Sequence, residues 1–349
     1  MKKASGLALM FALATTGSAG NWTMSGTSWD GSWGSYRMTI DPSKAGRVTL
    51  FQFKSLDVIK PGGDQGAYFW PAPQSRWWPN ANWPPPPSFN DNTYTATTEN
   101  GGATLVLTGP IDADKKLRVT KRFSYDANTD QMVLTYATAN TATDTARHFA
   151  PWEITRGFTG SLVFFPKATP FKFVNPSGSG LQPDLPLTRD DSVGWYLDKT
   201  YTSNKFFRDG AEGWLAQVKD SLLFVKQYPD VDSTNFPPWE SDIEIYTGGS
   251  FIENEVLGPW TAIQPSDSLV WTVRWGCAIL AKSANTGVGS EDLKKAARAL
   301  AKAAPVSVKP IRSRFLPAGS MPLVDVRGRL LTKSDRALKV GRLGVLPVR

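Results

Sequence analysis

Residues 251–260, FIENEVLGPW, place Glu253 and Glu255 two positions apart. In an extended strand that spacing puts both carboxylates on one face, about 6.6 Å apart at about 3.3 Å per residue. Like charges that close raise one another's pKa, as general acid–base chemistry requires, although two solvated glutamates on an edge strand have the same spacing. Residues 150–156, APWEITR, alternate likewise, with Trp152, Ile154 and Arg156 on one face and Glu153 and Thr155 on the other. A carboxylate and a guanidinium in an interior strand serve either as a buried ion pair or as ligand contacts. Residues 242–246, DIEIY, turn Ile243 and Ile245 inward and Asp242, Glu244 and Tyr246 to the opposite face. A fourth segment is aromatic: residues 67–87, AYFWPAPQSRWWPNANWPPPP, set Tyr68, Phe69, Trp70, Trp77, Trp78 and Trp83 around Gln74 and Arg76, in a chain with 14 Trp. Aliphatic residues are almost absent there and proline forbids ladder hydrogen bonds, so an irregular surface loop is expected rather than a strand or helix. Flat rings on a stiff loop beside Gln and Arg suit a ligand with apolar C–H faces and many hydroxyls, which describes a sugar. The alternative is that the rings seal one end of a β-sandwich.

Other chemistry is excluded by what is missing. His148 is the only histidine, so triad, zinc and di-iron schemes that rely on several imidazoles fall away, and it is read as a capping or structural residue. Asp112 with Asp114, and Asp230 with Asp232, have the spacing of acidic calcium loops without the remaining ligands, and are read as turns. There is no Gly-rich phosphate loop and no nucleophile elbow. No metal and no cofactor are expected. The formal charge of +8 is uneven: residues 306–349 carry ten Lys/Arg against two Asp, whereas residues 21–282 carry 23 Lys/Arg against 27 Asp/Glu, a net of −4. Nucleic-acid binding by the main domain thereby loses its electrostatic support.

The elements that must position these residues have a period of two nearly everywhere. Thirteen strands are predicted, at residues 36–40, 48–53, 103–107, 117–125, 132–137, 149–155, 162–165, 194–197, 213–218, 222–227, 243–246, 251–257 and 268–280. Turn signals separate them and no βαβ rhythm appears, which implies an all-β protein built as a large antiparallel sandwich. Residues 290–304 are the exception. Leu293, Ala296, Ala297, Leu300, Ala301 and Ala304 recur at helical spacing, with Ser290 as N-cap, Glu291 and Asp292 in the first turn and Pro305 beyond the end. Small residues on its apolar face predict a helix lying flat against the sheet. Residues 1–20 read as a signal peptide, with Lys2 and Lys3, an apolar run over residues 7–14 too short to span a bilayer, and small residues before a cleavage site near Ala19 or Gly20. The sandwich domain is assigned to 21–304, a linker to 305–320 and a small basic tail to 321–349. Cys277 is the only cysteine, so no internal disulfide forms and stability rests on burial.

The order GRVTLFQF, YFWPAPQSRW, LRVTKRFSYDANTDQMVLTYATANT, APWEITR and EIYTGGSFIENEVLGPWTAIQPSDSLVWTVRW resembles the galactose-mutarotase-like supersandwich, and within it a branch of exported bacterial proteins. The resemblance covers about residues 36–304. In the sugar mutarotases and epimerases of that superfamily a strand histidine is the general acid, a late-strand glutamate the general base, and an arginine lies near the substrate. The resemblance therefore implies the base role at Glu255, with Glu253 second, and the arginine at Arg76. The strand matching the histidine-bearing one has Trp152 or Glu153 where an imidazole would stand, so Glu153 is the substitute donor if burial raises its pKa.

The expectation is an exported carbohydrate-binding protein, secreted or at the cell surface, with the periplasm as the alternative. Trp77, Trp78 and Trp152 would stack on pyranose faces, while Gln74, Arg76, Glu153, Arg156, Glu244, Glu253 and Glu255 would bond hydroxyls or a sugar carboxylate. The alternatives are an isomerase of aldose 1-epimerase type, or another glycan-active enzyme, using Glu255 and Glu153, and a structural envelope protein with a vestigial cleft. VDVRGRLL and the terminal GVLPVR resemble the C-terminal sorting modules of some exported bacterial proteins, which implies contact with secretion machinery; a plain β-hairpin is the alternative.

Overall fold

Each of the thirteen predicted strands is present, and with shorter ones they assemble into two 11-stranded sheets whose neighbours run antiparallel. The structure is a computed structural model that describes residues 20–62, 64–76, 84–168, 188–189, 192–197, 204–302, 306 and 308–311. The first sheet runs in the order Ser28–Trp33, Tyr36–Asp41, Arg47–Phe53, Ala67–Ala72, Arg147–Phe158, Phe251–Leu257, Ile243–Thr247 and Asn204–Arg208. The centre of the second is Leu162–Pro166, Trp214–Lys219, Leu222–Gln227, Ser268–Ile279, Gln131–Asn140, Leu117–Asp126 and Thr104–Ile111.

Alternation sends one face of each sheet into a shared core. Met38, Phe51, Phe69 and Val256 of the first sheet meet Leu107, Phe123, Leu134, Tyr136, Trp271 and Trp275 of the second. Burial of each such side chain contributes roughly 1.5–3 kcal/mol. The rings interlock: Phe69 stacks on Tyr136 at 4.1 Å, and Phe51 lies 5.0 Å from Trp275. Cys277 is buried in this core. The predicted helix spans Glu291–Ala301, capped by Ser290 Oγ, which accepts the Leu293 N–H at 3.1 Å. Its Leu293, Ala296 and Ala297 pack on Phe164, Trp214, Leu223 and Val225 at the outer side of the second sheet. Among the described residues no helix is long and apolar enough to cross a membrane.

Residues 67–87 correct the expectation of an irregular surface loop. Ala67–Ala72 is a buried strand, Gln74–Arg76 a 3-10 turn and Pro87–Asn90 a single helical turn. Pro71 is tolerated because it stands opposite Pro151, while pairing on the other side of its strand is confined to Val48 and Ala67. Past the end of that ladder no hydrogen bond is lost to the missing N–H. Trp77, Trp78 and Trp83 lie outside the described residues, as do the leader predicted over 1–20, apart from Gly20, and the whole tail 321–349. Within 305–320, Val308–Ile311 forms a strand paired with residues 268–271, so these four residues are part of the second sheet.

Candidate functional site

Directly opposed residues of an antiparallel pair point to the same side of the sheet. Arg156 stands opposite Glu253, Ile154 opposite Glu255, and Trp152 opposite both Trp70 and Leu257. On the next strand Glu244 faces Glu255 and Tyr246 faces Glu253, and beyond it Lys205 faces Tyr246. Four neighbouring strands thus deliver Trp152, Arg156, Glu253, Glu255, Glu244 and Lys205 to one face of the first sheet, the face turned away from the second. The turn Gln74–Arg76 and a loop carrying Glu240 add to it from the side.

Lys205 is the hub. Its ammonium lies 2.7 Å from Glu244 Oε2, 2.9 Å from Glu255 Oε2 and 2.5 Å from Gln74 Oε1, and sits 4.7 Å from the centre of the Trp152 ring. Trp152 Nε1 donates to Glu255 Oε2 at 2.6 Å. Glu240 Oε1 accepts the Gln74 backbone N–H, which ties the turn to the cluster. At the neighbouring position Arg156 Nε donates to Glu253 Oε1 at 2.8 Å, its guanidinium held between the Tyr68 and Phe251 rings at 4.8 and 4.3 Å. Glu244 and Glu255 are wholly buried, yet Glu244 Oε1, Glu255 Oε1 and Glu240 Oε2 meet no hydrogen-bond donor.

Three carboxyls on this face, Glu240, Glu244 and Glu253, titrate far from their ordinary range. Burial pushes Glu240 up to about 8, against the pull of Lys205, and Glu253 up to about 7, with Glu255 adding to the rise and Arg156 opposing it. Burial, followed by the repulsion of Glu240 and Glu255, drives Glu244 well above the carboxylate range despite Lys205. Burial alone would lower Lys205, but Glu244 and Glu255 together outweigh it and raise its pKa. The shift favours the protonated form of Glu244.

Of the residues singled out from the sequence, Gln74, Trp152, Arg156, Glu244, Glu253 and Glu255 come together. Glu153 does not. The pleat turns it between the sheets, where it pairs with Lys226 at 2.9 Å and accepts from Tyr136 Oη at 2.9 Å and Trp275 Nε1 at 3.1 Å. It is a structural ion pair rather than the substitute proton donor, and Trp152 is the residue of that strand turned toward Glu255. Indole donates one hydrogen bond but has no proton to exchange near neutrality.

Arg76 lies at the rim, 4.2 Å from the centre of the Phe149 ring and 5.2 Å from that of Trp260; burial and then Arg147 lower its pKa. Among the described residues it forms no ion pair with the glutamates. His148 packs on Trp260 at 5.7 Å. Asp112 accepts the N–H groups of Asp114 and Lys115, and Asp232 caps a 3-10 turn, so both acidic pairs belong to turns. Among the described residues no cluster of His, Cys, Asp and Glu is arranged to hold a metal. Sequence reasoning missed Lys205 and Glu240; the alternation of Lys205 and Phe207 in NKFFR was the available signal for the first.

No protein-family model matches the sequence, and no curated protein matches it. Solved structures do match in shape. A galactose mutarotase-like protein from Lactobacillus casei ATCC 334 is 10% identical, with a TM-score of 0.52 over 74% of this chain and 100% of its own. A candidate aldose 1-epimerase from Escherichia coli K12 is 14% identical, with a TM-score of 0.50 over 71% of this chain and 98% of its own. Two antiparallel sheets in this order, a single longer helix and these likenesses identify the architecture: the chain has the galactose-mutarotase-like β-sandwich fold.

Proposed function

We propose that this is an exported carbohydrate-binding protein whose ligand is held at the outer face of the first sheet. The observation that carries the reading is the convergence of Gln74, Trp152, Lys205, Glu240, Glu244 and Glu255, with three buried carboxyl oxygens left without donors. Buried acceptors without partners cost stability, and hydroxyl groups are donors that relieve that cost. The fold supports the same reading by analogy with the galactose mutarotase-like structures. Export rests on the character of residues 1–20, and contact with secretion machinery on the resemblance of the tail. A glycan array probed with the full mature chain is expected to show a ligand whose signal falls in Lys205→Met. A blank array for the wild type overturns the reading.

A second reading, catalysis, is favoured by Glu244, whose pKa burial raises, standing directly opposite Glu255. In aldose isomerisation Glu255 would take the proton of the anomeric hydroxyl while Glu244 protonated the ring oxygen as the C1–O5 bond broke. Anomer interconversion followed by polarimetry is then expected to fall to the uncatalysed rate in Glu255→Gln. Equal rates in wild type and variant remove catalysis and leave binding intact.

A further inference from the structure

The site is short of donors and of positive charge. Lys205 donates to Glu255 Oε2 and Gln74 Oε1 and forms an ion pair with Glu244 Oε2 at 2.7 Å. Arg156 is committed to Glu253 and to the Asp64 backbone carbonyl. What remains open at the cluster is a set of acceptors: Glu240 Oε2, Glu244 Oε1 and Glu255 Oε1, on residues that are wholly or almost wholly buried. Resting on the carbohydrate reading above, we infer that the ligand is an amino sugar, its ammonium group answering the unpartnered oxygens of Glu240, Glu244 and Glu255.

The competing ligand classes fit less well. A uronic acid would bring a carboxylate to a face that already holds four carboxyls, where Lys205 and Arg156 are engaged and Arg76 lies only at the rim, against Phe149 and Trp260. A neutral sugar offers one donor per hydroxyl and no charge. An ammonium offers three donors and a full positive charge on one atom, and charge-assisted hydrogen bonds are about twice as strong as neutral ones. The protein itself shows that the face accepts such a group: the Lys205 ammonium lies between two carboxyls and over the Trp152 and Phe207 rings, 4.7 and 5.5 Å from their centres. Burial raises Glu240, Glu244 and Glu253, and the neighbouring carboxylates add to the rise.

The test is calorimetric titration of the full mature chain near neutral pH with glucosamine, N-acetylglucosamine, glucose and glucuronic acid. Glucosamine is expected to bind about tenfold or more tightly than the other three, the acetylated sugar being the sharpest control because it keeps the nitrogen and loses the charge. The order is read on the wild-type chain, so it does not hang on the folding of a variant; in folded Glu244→Gln the preference for glucosamine is expected to shrink toward that for glucose. Equal affinities, or a preference for glucuronic acid, overturn the inference and leave the carbohydrate reading standing. Binding of none of the four overturns the inference, and only a blank array overturns the carbohydrate reading as well.

Discussion

At the scale of single residues, Trp239 departs furthest from what folding alone requires. Its side chain is 62% exposed and its backbone sits at φ 67°, a left-handed conformation that bulky residues avoid. It precedes Glu240, whose carboxylate fixes the Gln74 turn, and its exposed indole takes no part in the core. Strained, exposed aromatic residues next to a site are retained for contact rather than for stability. Asparagine tolerates this conformation, which costs other residues about 1–2 kcal/mol. Trp239→Asn is therefore expected to raise the guanidinium unfolding midpoint by the equivalent of about 1 kcal/mol while lowering glycan affinity at least tenfold. An unchanged affinity would show that the ring is not a ligand contact. The same logic separates Glu153 from Glu255: both are fully buried glutamates, but both oxygens of Glu153 have partners, whereas Glu255 keeps an oxygen to spare.

At the scale of elements, Arg147–Phe158 serves both sides of the first sheet, presenting Trp152 and Arg156 outward and Glu153 inward. Gly157 lets it lie close to the second sheet: a Cβ there would fall 2.1 Å from Gln217 Oε1, the atom that accepts from Asn254 between Glu253 and Glu255. Gly157→Ala is expected to cost about 1–3 kcal/mol in denaturant unfolding and to weaken ligand binding, because Asn254 loses its anchor. Affinity that survives the stability loss would uncouple the strand from the inner layer. Alternation is a local property, and so the facing of Trp152 with Arg156, of Asp242 with Glu244, and of Glu253 with Glu255 was legible in the sequence. Which of the two faces is the core is not local; it depends on which strands of the second sheet lie opposite, and that is why Glu153 read as a site residue. Pro71 read as a strand breaker because its tolerance depends on where the Val48–Ala67 ladder stops. Lys205 was hidden for a similar reason. Its strand is five residues long, and its neighbourhood is created by pairing with Ile243–Thr247, some forty residues further along the chain.

At the scale of the whole molecule, these buried acids make folding a proton-linked equilibrium. Burial pushes Glu240 and Asp242 up to about 8 and Glu253 up to about 7, and raises Glu244 well above its ordinary value, whereas in the unfolded chain such groups titrate near pH 4. Between pH 5 and 7 the folded chain holds protons that the unfolded chain has released, so the unfolding free energy falls as pH rises, by up to about 1.4 kcal/mol per pH unit for each group fully protonated in one state only. Two lysines act in the other sense. Burial lowers Lys121 to about 7 and also lowers Lys226, so the unfolded chain is the more protonated at those positions and stability rises with pH. The contribution of Lys121 sets in mainly above pH 7, up to the ordinary lysine range. The urea midpoint is therefore expected to be higher at pH 5 than at pH 7 and to level off above pH 7. A midpoint that is flat or rising from pH 5 to 7 would mean that the carboxyls ionise freely in the folded chain and that the site is open to solvent. A ligand ammonium favours the ionised carboxylates, so saturating glucosamine is expected to reduce the slope in that window. N-acetylglucosamine, which brings no charge to Glu240, Glu244 and Glu255, is expected to leave it unchanged.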